Sequence, residues 1–160
     1  MSNLNIVVNT ASCGVTAGIV GGIFNFLIAP LFGALHITTA CGVEIAPPLD
    51  KLDLYSKVFW GGVWGLVLLE PFLKRCIPSI WIRALLYGLL PSLVQIFLVF
   101  PLATPFGIGG VGLGAATPVF VIVFNTLGWS FPACGWLVLT GVVNSSGSDE
   151  ETWYTNPLLG

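Results

Sequence analysis

Four stretches of this chain are apolar almost without interruption, and shorter polar passages separate them. The first, residues 15–35, reads VTAGIVGGIFNFLIAPLFGAL and carries no charge. About 20 such residues suffice for a helix to cross a hydrocarbon core. The loop after it holds Glu44, Asp50, Lys51 and Asp53 with the turn-forming pair Pro47-Pro48, so it belongs in water. The second stretch, 58–73, is VFWGGVWGLVLLEPFL and stops at Lys74-Arg75. Pro78 breaks the chain before the third, 80–102, which opens with Trp81 and Arg83 and closes at Pro101. Trp and Arg flanks suit the headgroup zone. The fourth, 111–143, is longer than a bilayer requires, which predicts tilt, a kink at Pro118 or Pro132, or a protruding end. Residues 144–160 form a polar, acidic tail with Asp149, Glu150 and Glu151 in one run.

The segments read as helices. Strands of a membrane barrel alternate apolar and polar residues over about ten positions, whereas these runs are continuously apolar and longer. The expected fold is therefore all-α: a polytopic helical membrane bundle of about four transmembrane helices over residues 1–143. Composition sharpens this. Hydrophobic residues make up 56 % of the chain and charged residues 8 %, against about 25 % charged in soluble domains. Mean hydropathy is +0.96. So few charges cannot coat a soluble fold, whereas lipid accepts an apolar exterior. The N-terminal MSNLNIVVNTASCG has no Lys or Arg, so the first apolar stretch is expected to be a retained span rather than a cleaved signal. A net charge of -2 offers no basic footprint for nucleic acid.

Helices in lipid associate through close packing of small residues, because hiding Leu from Leu-like tails gains nothing. Gly14, Gly18 and Gly22 make a double GxxxG, Gly61 and Gly65 a second copy, and Gly110 and Gly114 a third at the start of the fourth stretch. Residues four apart share a helix face, so these are the expected packing faces. A faint echo, Gly-Gly followed by Pro and Phe, recurs from Gly21, Gly61 and Gly109. It fits a decayed helix-hairpin duplication or coincidence in a chain rich in Gly and Phe.

Three amides lie at mid-depth, each on a small-residue stripe: Asn25, Gln95 and Asn125. A lone amide in hydrocarbon costs several kcal/mol. They are expected to meet inside the bundle, as interhelical glue or as the polar lining of a solute path. Glu70 is the one acid within an apolar run. Intramembrane acids are functional candidates, but Lys74 stands four residues on, and a local ion pair accounts for Glu70 without transport. His36 is the only histidine and the candidate ligand for a porphyrin or metal, set against a plain interfacial role. Cys13, Cys41, Cys76 and Cys134 form no CxxC pair and read as small apolar fillers. The turn FGIGGVGLG lacks the Lys-Ser/Thr ending of a phosphate loop. No HExxH, GxSxG or paired mid-chain carboxylates occur, so catalysis is not expected, and no motif indicates a metal or cofactor; contact with pigment or lipid stays open.

The stretches LYSKVFWGGVWGLVLLEPFL, WIRALLYGLLPSLVQIFLVFPL and GLGAATPVFVIVFNTLGW resemble a group of small uncharacterised bacterial four-helix membrane proteins. That group shares a WGGxWG helix, a PSLVQ-like helix and a GxxTPxFVxxxN helix. Trp60, Gly61, Gly62, Trp64, Gly65, Pro91, Gln95, Pro101, Pro118 and Asn125 carry the likeness over roughly the last two-thirds of the chain. It implies a shared four-helix membrane fold and brings no activity.

Two functions follow as expectations. One is a non-catalytic integral membrane subunit in a structural or accessory role, partnered by other membrane subunits or by itself as an oligomer. The other is a small channel or transporter for a neutral solute or cation, using Asn25, Gln95, Asn125 and Glu70. Lys74, Arg75 and Arg83 outnumber Lys51 and Lys57, so the positive-inside rule puts the loop between the second and third spans, and both termini, in the cytoplasm.

Overall fold

A computed structural model describes residues 3–45, 47 and 49–143. Among them every regular element is helical. Four helices are long and apolar enough to cross a membrane: α1 (Asn3–Ala34), α2 (Lys51–Leu69), α3 (Ile80–Ala103) and α4 (Thr117–Leu139). The protein is an all-α, multi-pass membrane bundle. The tail at 144–160 lies outside the described residues.

Three boundaries differ from those expected. The first helix begins at Asn3 rather than near residue 15, because the uncharged residues ahead of Val15 continue the helix. The second begins at Lys51, inside the stretch read as loop. Asp50 caps it, its carboxylate accepting from the Asp53 N–H at 2.7 Å, which satisfies one of the helix's free donors. The same helix tightens into a 3₁₀ turn over Leu66–Leu69 and ends at Glu70, whose successor Pro71 starts a short helix, Pro71–Cys76.

The fourth helix begins at Thr117, not at 111. Gly110 and Gly114 are not helical: their φ values are 69° and 138°, left-handed backbone open to glycine. The third GxxxG is therefore a turn. Gly114 packs on Gly42 and Val43 of the first loop, and Glu44 N–H donates to Leu113 at 2.8 Å, so the two loops at this end dock together. The Gly-Gly echo fails for the same reason, since Gly21 and Gly22 are helical and Gly109 and Gly110 are not.

The helices form a chain of neighbours in the order α2, α1, α4, α3, and α2 packs along α1 with no comparable contact to α3. At one end, Leu68, Ile80, Tyr87, Trp129, Cys134 and Leu137 share an apolar core. At the other, Phe32, Phe120 and Phe124 pack ring on ring between α1 and α4. Between α2 and α3, on the loop-docking side, the bundle is open.

Two helices widen in mid-course. The backbone takes π-helical turns over Gln95–Val99 in α3 and Phe124–Ser130 in α4. Each precedes a proline, Pro101 or Pro132. Proline lacks an N–H and crowds the carbonyl one turn back, and a wider turn relieves both. Such bulges recur at functional sites, and here each contains one of the mid-depth amides.

Candidate functional site

The seam between α1 and α2 is backbone on backbone. A Cβ on Gly18 would overlap the Gly61 carbonyl and stand 2.7 Å from Gly65 Cα; one on Gly61 would stand 2.9 Å from Gly22 Cα. Gly14 faces Gly65, Gly18 faces Gly61, and Gly22 faces Lys57. Each step of four along α1 is a step of four back along α2, an antiparallel register.

One helix face round from that seam, α1 meets α4 through polar groups. Trp129 donates its indole N–H to the Gly18 carbonyl at 3.2 Å. Asn25 Nδ2 donates to the Phe124 carbonyl at 2.8 Å and lies 3.4 Å from Asn125 Oδ1. Asn125 Nδ2 then donates to Gln95 Oε1 at 3.1 Å, reaching α3. The three amides thus run in one hydrogen-bonded line across α1, α4 and α3. Ser130 adds a second α4–α3 link, donating to the Ala84 carbonyl at 2.6 Å.

That line floors a cleft of about 310 Å³, the low end of the range of ligand pockets. Trp60, Trp64 and Trp129 wall it, and Asp53 and Lys57 stand at the α2 end. Asn25 is 4 % exposed, and its Oδ1 has no hydrogen-bond partner among the described residues. Asp53 Oδ2, also shielded, has none either. The floor can accept and donate hydrogen bonds, and the aromatic walls can hold apolar groups or a cation's face.

The remaining candidates lie elsewhere. The Glu70 carboxylate accepts from the Phe72 and Leu73 N–H groups and caps the helix that starts at Pro71. It sits at the opposite end of α2 from the cleft and does not line it. This helix-capping role was not foreseen in the pairing of Glu70 with Lys74. His36 is exposed, in left-handed backbone (φ 56°) where the chain turns out of α1. Among the described residues no three His, Cys, Asp or Glu side chains gather as a metal site. Cys134 is buried, whereas Cys41 and Cys76 are exposed; none of the four is disulfide-bonded. Arg83, expected at the headgroups, is 1 % exposed, one turn inside α3.

Sequence reasoning did not find Asp53, Lys57 or the tryptophan walls. The signal was present: Asp50 three residues ahead of Asp53 is a helix start, which puts Asp53 and Lys57 on one face of α2 rather than in a loop.

Comparison with protein-family models, curated proteins and solved structures finds no match to this chain.

Proposed function

We propose that this protein is a small channel or transporter, and that its solute site is the cleft between α2 and α3. One observation carries the reading: Asn25 Oδ1 is a buried acceptor without a partner among the described residues, and Asn25, besides bonding to α4, lines a hollow. A buried unpaired acceptor costs about 1–3 kcal/mol. Amides serving only as glue would leave no acceptor over once they had bonded to one another, and a hydrogen-bonding solute offsets the cost of the one that is left. The amides are uncharged, which suits a solute neutral overall. Glu70 has no part in this reading. The role is binding and passage, with no bond made or broken.

The test is uptake of small polar solutes (glycerol, urea and amino acids) into vesicles holding the purified protein. Uptake faster than into empty vesicles, and slowed by Asn25→Leu, is the expected result. No difference from empty vesicles for any of them, with the protein folded, overturns the reading.

A second reading, the accessory subunit, has one observation in its favour. Because α2 leans on α1, its far flank, with Phe59, Val63 and Leu66, is exposed for another membrane chain or a second copy. A partner in fixed ratio by native mass spectrometry supports it, and a lone monomer counts against it. For orientation we infer cytoplasmic termini: Lys74 and Arg75 lie in the α2–α3 connection, against Lys51 at the first residue of α2.

A further inference from the structure

We propose that the cleft takes a zwitterion with a primary ammonium group, held by Asp53 and Asn25 at its cation and by Lys57 at its anion. The inference rests on the cleft being a solute site, and it names the solute's chemistry.

The polar side chains that line the cleft are of complementary kinds. Two carry a shielded acceptor without a partner among the described residues, Asn25 Oδ1 and Asp53 Oδ2. The third group is a cation. Lys57 lines the same cleft and, among the described residues, closes no hydrogen bond or ion pair, although Asp53 attracts it through space. The register of the glycine seam relates their depths. Gly22 faces Lys57, so three residues further along α1 Asn25 comes level with Leu54, next to Asp53 and close to one turn along α2 from Lys57. A ligand spanning the site therefore meets two acceptors at one level and an ammonium at the next.

With a neutral solute the two charges have only each other. A simple cation answers Asp53 and leaves Lys57, and a simple anion does the reverse. A zwitterion answers both, and with N–H donors it also satisfies Asn25. A trimethylated ammonium has no donor to give. Trp60 and Trp64 then lie beside an apolar side chain or tail. Two sources present this chemistry: a free amino acid, and the headgroup of a phosphatidylethanolamine, whose phosphate replaces the carboxylate. The cleft is open between α2 and α3, so both have access.

The unmodified protein in phosphatidylcholine nanodiscs, with tryptophan fluorescence as readout, tests this. L-leucine is titrated against isopentylamine (cation alone), isocaproate (anion alone), N-trimethylated leucine and glycerol. Leucine is expected to bind at least about tenfold more tightly than any of these, the worth of one hydrogen bond to a charged group. Replacing phosphatidylcholine by phosphatidylethanolamine is the second arm. A spectral shift there, with no response to leucine, makes the lipid headgroup the source; the reverse makes it the free amino acid. Asp53→Asn and Lys57→Gln should each weaken the responding ligand by about tenfold. If leucine binds no better than amine or carboxylate and phosphatidylethanolamine has no effect, the proposal fails. Binding of glycerol alone would then leave the solute-site reading standing, and binding of nothing would remove that as well.

Discussion

Toward α2, α1 presents Gly14, Gly18 and Gly22, and the contact is backbone against backbone, with the Leu69 side chain reaching Gly14. Toward α4 it presents Gly21 and Asn25, and the contact is an indole N–H, an amide and a carbonyl. The first seam has no room for a Cβ, although Gly22 and Gly61 at its edge also line the hollow. The second is hydrogen-bonded and borders a hollow of about 310 Å³. Both hold helices together in lipid, but they respond differently to change. Dispersion at a bare backbone seam falls steeply with distance, so that seam tolerates no added atom. A hydrogen-bonded line loses bonds one at a time, and its members can exchange partners with a ligand. The rigid seam on one side of α1 fixes the register that sets Asp53 and Lys57 opposite the amides on the other.

The contrast is broken most severely by Gly18→Leu. The side chain must drive Gly61 and Gly65 away, and the expected cost is at the extreme of single substitutions, about 4–5 kcal/mol. Reversible unfolding in mixed detergent micelles measures it, and a loss below about 1 kcal/mol would mean the seam is not rigid. Asn125→Leu comes next. It removes the acceptor for Asn25 and the donor to Gln95, at about 0.6 kcal/mol per bond, so about 1–2 kcal/mol in all. The same unfolding assay should show it, with solute response lost although the fold is retained. The smallest effect is expected from Gly62→Ala. Gly62 is beside the seam, and its new methyl would meet Ile19 Cγ1 at 3.3 Å and Val15 Cγ1 at 3.5 Å, with the Val15 carbonyl at 3.8 Å. A change within about 0.5 kcal/mol is expected, and a loss as large as that of Gly18→Leu would show that any added atom on α2 disrupts packing, which removes the distinction.

The differences between expected and observed elements have physical causes. Hydropathy located the spans but misplaced the start of α2, because Lys51, Asp53 and Lys57 look like loop when helix and polarity are treated as exclusive. A capped, polar first turn is still helix. The Gly110–Gly114 spacing matched a packing face by pattern, yet the same glycines that permit close helix approach also permit left-handed turns. Only neighbours decide between these uses. Glu70 was paired with Lys74 by spacing, and its carboxylate also accepts from the free N–H groups of the next helix.

The solvent of this chain was legible in its residues alone. With 8 % charged residues and four long apolar runs, the chain must lie in lipid, and in lipid its backbone must close its own hydrogen bonds in helices. The glycines of α1 and α2 and the three amides were legible too, since period and polarity mark a face. Which faces meet was not. The α2–α1–α4–α3 order, the π turns ahead of Pro101 and Pro132, and the opening between α2 and α3 depend on contacts about 30 to 100 residues apart in the chain. Local pattern carries no information about such pairs, so the cleft with its unpartnered acceptors exists only once the helices have packed.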